Sequence, residues 1–90
     1  MIVDPQINKI LENEKLRQET FHHFIASENI SSDAVRKLVG SVFANKYAEG
    51  YPGKRYYNGC GNFDDLERHA NSLLRSLYGC NFSNVQPHSG

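Results

Sequence analysis

Between residues 46 and 57 the chain reads KYAEGYPGKRYY, a stretch that predicts neither a helix nor an ordinary strand. Gly50, Pro52 and Gly53 punctuate it. Proline fixes φ and has no amide donor, while glycine opens conformations closed to other residues. Tyr51-Pro52-Gly53-Lys54 suits a type II turn, with proline second and glycine at the positive-φ third position. The patterns on either side must therefore be joined by a bent loop whose shape comes from the backbone and not from burial. That loop carries four tyrosines, two lysines, an arginine and a glutamate.

Helical signals flank it. Asp4 is a good cap and Pro5 is tolerated in a first turn, so a helix is expected from there to near Glu19. Its apolar stripe is thin: Ile7, Ile10, Leu11 and Leu16. FHHFIASEN follows as an extended, then irregular, segment. A second helix is expected from Ser31 or Ser32, with Ala34, Val35, Leu38, Val39, Val42 and Phe43 making a broad buried face. Gly40 within it suggests close approach of another backbone. A third helix is expected from a cap at Asn62 to Gly79, with Phe63, Leu66, Ala70, Leu73, Leu74 and Leu77 inward and Asp64 able to pair with Arg68. NFSNVQPHSG predicts a short strand at Asn84 to Gln86, broken by Pro87. Three apolar faces and one lone strand lack partners, so the chain is expected to be the N-terminal part of something larger.

Composition narrows the function. Ninety residues with 39% apolar content allow one small domain with a modest core. Ten basic and ten acidic residues cancel, which argues against a protein that holds nucleic acid by neutralising phosphates. No apolar run approaches the ~20 residues of a membrane span, and no basic-then-apolar leader is present. Cys60 and Cys80 lack CxxC spacing, which predicts reduced thiols in a cytosolic protein. The adjacent His22 and His23 point to opposite faces of an extended segment, and no acid or cysteine sits at ligand spacing, so no metal site is expected.

The loop holds the chemistry. Tyr47, Tyr56 and Tyr57 offer hydroxyls that can orient a ligand while their rings exclude water. Glu49 is a candidate acid or base if half-buried, and Lys46, Lys54 and Arg55 can meet anionic groups. A plain surface turn has the same composition. So does a small module stacking its tyrosines on single-stranded nucleic acid, with basic side chains along the backbone.

IASEN at 25–29, NKYAEGYPGKRYY at 45–57 and NVQPHSG at 84–90, in order and in register, resemble the serine hydroxymethyltransferase family. The resemblance runs from Phe24 to the last residue; the leader matches only in being helical. It implies an α/β chain of the fold type I, aspartate-aminotransferase-like class of pyridoxal-phosphate transferases, cytoplasmic and homodimeric, with no nucleic-acid or membrane partner. Residues 1–53 would be a helical arm and an inter-subunit active-site loop. Residues 54–90 would begin the large cofactor-binding domain. The implied reaction converts serine and tetrahydrofolate to glycine and 5,10-methylenetetrahydrofolate. By position, Ser27 would meet the substrate carboxylate and Tyr56 the folate ring system. Tyr47, from the neighbouring protomer, with Ser89 and Gly90, would hold the cofactor phosphate. Glu49 would transfer protons and Tyr57 would contact the substrate. A folate-independent pyridoxal-phosphate aldolase is the related alternative; Glu49 together with Tyr56 points to the folate-using branch.

The chain also departs from the family pattern. Asn58-Gly59-Cys60-Gly61-Asn62 replaces the usual Gly-Gly followed by Thr-Glu or Cys-Glu, so Gly61 stands where a carboxylate is common. The family's cofactor-bearing lysine, its aspartate for the pyridine nitrogen and its carboxylate-binding arginine are not among these ninety residues. Lys46 and Lys54 lie outside the lysine motif, and the chain alone is expected to be inactive.

Overall fold

The structure, a computed structural model, describes residues 4–89. It divides into two units, residues 1–32 and residues 33–90. In the first, helix α1 spans Pro5–Thr20. Asp4 caps it as expected, its carboxylate accepting the Gln6 amide at 2.8 Å, with Pro5 opening the first turn. It closes with the Thr20 hydroxyl donating to the Leu16 carbonyl at 2.7 Å and the Phe21 amide to the Arg17 carbonyl at 3.0 Å. On one face Arg17 donates to Glu14 at 2.6 and 2.8 Å and Gln18 adds a bond of 2.9 Å. Those donors, Arg17 foremost, hold the Glu14 carboxyl down from 4.5 to about 2. The thin stripe of Ile7, Ile10, Leu11 and Leu16 lies exposed. After Phe21 the chain is irregular, with a turn at Ala26 and Ser27.

In the second unit, helix α2 spans only Asp33–Val39. The expected continuation to Phe43 does not form. Gly40 ends the helix, and Ser41 supplies bonds that compete with further helix: its hydroxyl donates to the Leu38 carbonyl at 2.6 Å and accepts from the Phe43 amide at 3.4 Å. The chain restarts as a 3₁₀ helix, Val42–Asn45. The broad buried face is lost with the break: Val35, Leu38, Val39 and Val42 are exposed. Phe43 instead meets Phe63 edge to face, with centroids 4.9 Å apart at 82°.

The loop holds a minimal hairpin that its composition did not announce. Strands β1 (Gly50–Tyr51) and β2 (Lys54–Arg55) pair antiparallel, Gly50 opposite Arg55 and Tyr51 opposite Lys54. Gly53 has φ 78°, as the turn requires. Gly50 has φ 102°, and a Cβ there would run into the Lys54 carbonyl oxygen, so only glycine fits.

Helix α3, Gly61–Tyr78, is the longest element. Its cap is Cys60 and not Asn62, which lies inside the first turn. Cys60 is the one buried residue among those described, 5% exposed, and its thiol lies 3.5 and 3.4 Å from the Tyr47 and Tyr57 carbonyls. Burying that side chain beside the loop brings the helix start forward. Gly79 ends the helix in the left-handed region, as expected. Phe63, Leu66, Ala70 and Leu74 are half-buried, whereas Leu73 and Leu77 are exposed.

No strand forms at Asn84 to Gln86. With no neighbour strand beside it, the segment is held by side chains. Ser83 donates to the Asn71 carbonyl at 3.0 Å, Asn84 accepts the Gln86 amide at 3.0 Å, and Gln86 reaches the Gly50 carbonyl at 2.9 Å.

Candidate functional site

The site is built outward from Arg55, whose side chain is only 6% exposed. Its Nε donates to Asp64 at 2.8 Å and its Nη2 to Glu67 at 2.6 Å, one helical turn apart on α3. Its Nη1 donates to the carbonyls of Ala48 and Gly50, both at 2.7 Å. Such a fork of directed donors is particular to guanidinium. The Asp64 carboxyl is held below its ordinary 3.8, first by Arg55 and then by the Gly53 amide at 2.9 Å. Asp64 also lies 3.9 Å from Arg68, the expected i,i+4 partner, but its short bonds run to the hairpin. Arg55 is therefore not a loop cation waiting for an anion, and the nucleic-acid reading loses its arginine.

On this frame sit five of the residues singled out from sequence: Lys46, Tyr47, Glu49, Tyr56 and Tyr57. The Tyr57 hydroxyl donates to Glu49 Oε1 at 3.4 Å, and the Tyr47 ring stands 6.2 Å from the Tyr57 ring. Lys46 lies over the Tyr57 ring at 5.7 Å and donates to the Tyr47 carbonyl at 3.2 Å. Glu49 is exposed and not half-buried. Tyr47 is 76% exposed, and Tyr56 is exposed while its amide donates to the Glu49 carbonyl at 3.1 Å.

Beside Glu49 an open groove of about 300 Å³ is lined by Arg55, Phe63, Glu67, Gln86 and Pro87. Ser89 is exposed two residues beyond Pro87, and Gly90 lies outside the described residues. Ser27 belongs to the first unit, in the turn where the Asn29 amide bonds the Ser27 carbonyl at 3.1 Å. The Glu28 carboxylate lies 3.3 Å from His23 Nδ1. Reading the sequence missed Arg55, Asp64, Glu67 and Gln86 as a group. The available signal was a cation inside a hairpin followed by carboxylates three residues apart on one helix face.

Both thiols are free, and no helix among the described residues is long and apolar enough to cross a membrane. The family model described as serine hydroxymethyltransferase matches residues 1–90, so the likeness includes the leader that the motifs left out. Proteins named serine hydroxymethyltransferase are similar throughout. The one from Erythrobacter litoralis is 56% identical over 87 residues, 97% of this chain and 20% of the relative. That from Pelagibacter ubique is 52% identical over 89 residues, covering 99% and 20%. That from Prochlorococcus marinus is 53% identical over 90 residues, covering 100% and 22%. The chain thus spans about a fifth of the length of the curated relatives it matches. With its tyrosine-flanked glutamate displayed on a glycine-bent hairpin and a match from first residue to last, the chain belongs to the serine hydroxymethyltransferase family.

Proposed function

We propose that this chain is the N-terminal part of a fold type I pyridoxal-phosphate enzyme that converts serine and tetrahydrofolate to glycine and 5,10-methylenetetrahydrofolate. The observation that carries the reading is the family match over all 90 residues. In this reading residues 1–53 are the arm and active-site loop, and residues 54–90 open the large cofactor-binding domain. The parent is a cytoplasmic homodimer whose loop completes the neighbour's site, and the two free thiols suit a reducing compartment. The ninety residues alone are inactive, because the cofactor-bearing lysine belongs to the rest of the protein.

When bound, pyridoxal phosphate supplies an electron sink for the bond broken at the amino acid's α-carbon. The residues present fit the part of the cofactor assigned to them. Tyr47 and Ser89 are exposed, neutral hydroxyl donors able to hold a phosphate dianion without a competing charge, with Gly90 following Ser89. Glu49 holds and moves a proton at the serine hydroxyl as the one-carbon unit passes to folate. Tyr57, whose hydroxyl donates to Glu49, contacts the substrate. Ser27 binds the substrate carboxylate, and the exposed Tyr56 ring flanks the folate.

The test is Glu49→Gln in the complete protein. It should keep the bound cofactor and its visible absorbance while folate-dependent turnover falls roughly 10²–10⁴-fold, the usual scale for a lost general acid or base. Undiminished turnover would remove Glu49 from the role. An unsubstituted protein that binds cofactor but transfers no carbon from serine to folate would overturn the reaction itself.

A further inference from the structure

Three successive carbonyls surround the carboxylate-bearing residue of the loop, and each has a fixed donor. Arg55 Nη1 holds those of Ala48 and Gly50, on either side of Glu49, at 2.7 Å each. The Tyr56 amide holds the carbonyl of Glu49 itself at 3.1 Å. Gln86 adds a second donor to the Gly50 carbonyl at 2.9 Å and bonds Glu67 at 2.8 Å. Arg55 is in turn anchored to α3 through Asp64 and Glu67. Arg55 therefore ties the peptide plane before Glu49 and the plane after Gly50, while the Tyr56 amide ties the plane between them, and the guanidinium is itself held at α3. Glu49 is exposed, and its carboxylate accepts from the Tyr57 hydroxyl at a long 3.4 Å. Its direction comes from its backbone and not from packing.

We propose that Arg55 is a positioning residue for Glu49: the α3-anchored guanidinium fixes the backbone from which the proton-transferring carboxylate projects, with Gln86 as a second tie. The proposal rests on the role given to Glu49 above. Lysine cannot substitute, because one ammonium lacks the planar fork needed to reach two carboxylates and two carbonyls together. A carboxylate displaced by even ~1 Å at a reacting centre can cost ~10²-fold in rate, so the loss should fall on turnover and not on substrate binding.

The experiment is a double-mutant cycle in the complete holoenzyme, with Arg55→Lys, Glu49→Gln and both together. Arg55→Lys should lower kcat roughly 10–100-fold with KM for serine nearly unchanged, and should cost nothing further once Glu49 is glutamine. Amide hydrogen exchange should rise across residues 48–57 in Arg55→Lys and stay unchanged in α3. Equal losses in the two backgrounds, or an unaffected kcat, would overturn the proposal. Should Arg55→Lys fail to fold, Gln86→Met removes only the second tie. A smaller loss confined to the Glu49 background supports the proposal, and the same loss in both backgrounds defeats it. Full turnover in Glu49→Gln alone sinks the role of Glu49 and this proposal with it, whereas additive losses sink the positioning role alone.

Discussion

Asp64 gives one carboxylate oxygen to Arg55 at 2.8 Å and the other to the Gly53 amide at 2.9 Å, so a single side chain ties strand and turn to α3. Both bonds favour the ionised form and hold the carboxyl below 3.8, Arg55 contributing most. Because the folded value lies below the unfolded one, the unfolded chain binds more protons between them. The stabilisation is thus complete above the ordinary aspartate range and is lost as pH falls through the folded value. Hydrogen-exchange protection of residues 50–57 in the complete protein should stay level from neutral pH down to that range and drop only below it. Asp64→Asn should abolish that step, and a decline beginning well above 3.8 would refute the assignment. Little of this was legible in the sequence beyond the i,i+3 spacing of Asp64 and Glu67. Arg55 lies nine residues from Asp64 and twelve from Glu67, separations that match no helical or strand period. Glu49, Tyr47 and Tyr57 were legible as a displayed group because the glycines and proline around them left no packing role.

The start of α1, the end of α3 and the hairpin turn followed the sequence, whereas the second helix and the last strand did not. Asp4-Pro5 begins α1, Gly79 ends α3, and Pro52-Gly53 makes the turn, each through local backbone chemistry. The second helix broke at Gly40 because the Ser41 hydroxyl offered nearer bonds than another helical turn, which apolar periodicity does not register. The strand at Asn84 to Gln86 needed a neighbour that is not there, and Gln86 went to Gly50 and Glu67 instead. At the head of α3, Gly61 has nothing within 4 Å of where a Cβ would stand and no positive φ. Gly61→Ala should therefore stabilise the complete protein by roughly 0.4–1 kcal/mol, mainly by restricting the unfolded chain. A rise in its unfolding midpoint in denaturant, at unchanged slope, would bear this out; a fall would mean that another part of the protein occupies that space.

At the scale of the molecule, apolar surface is left uncovered: Phe24 and Phe82 are 92% and 90% exposed, and Cys60 alone is buried among the described residues. Among the described residues no large apolar side chain is buried, and the chain spans a fifth of its relatives' length. The polar loop is a separate matter, since the account assigns its glutamate and tyrosines to a site shared between protomers. The most direct measurement purifies a heterodimer from two differently tagged complete chains, one carrying Glu49→Gln and the other lacking the cofactor-bearing lysine. Each variant alone should be inactive. If the loop acts across the interface, one of the two sites in the hybrid combines an intact lysine with an intact Glu49 and restores folate-dependent turnover. A hybrid no more active than its inactive parents would contradict the account, because each Glu49 would then be serving its own chain.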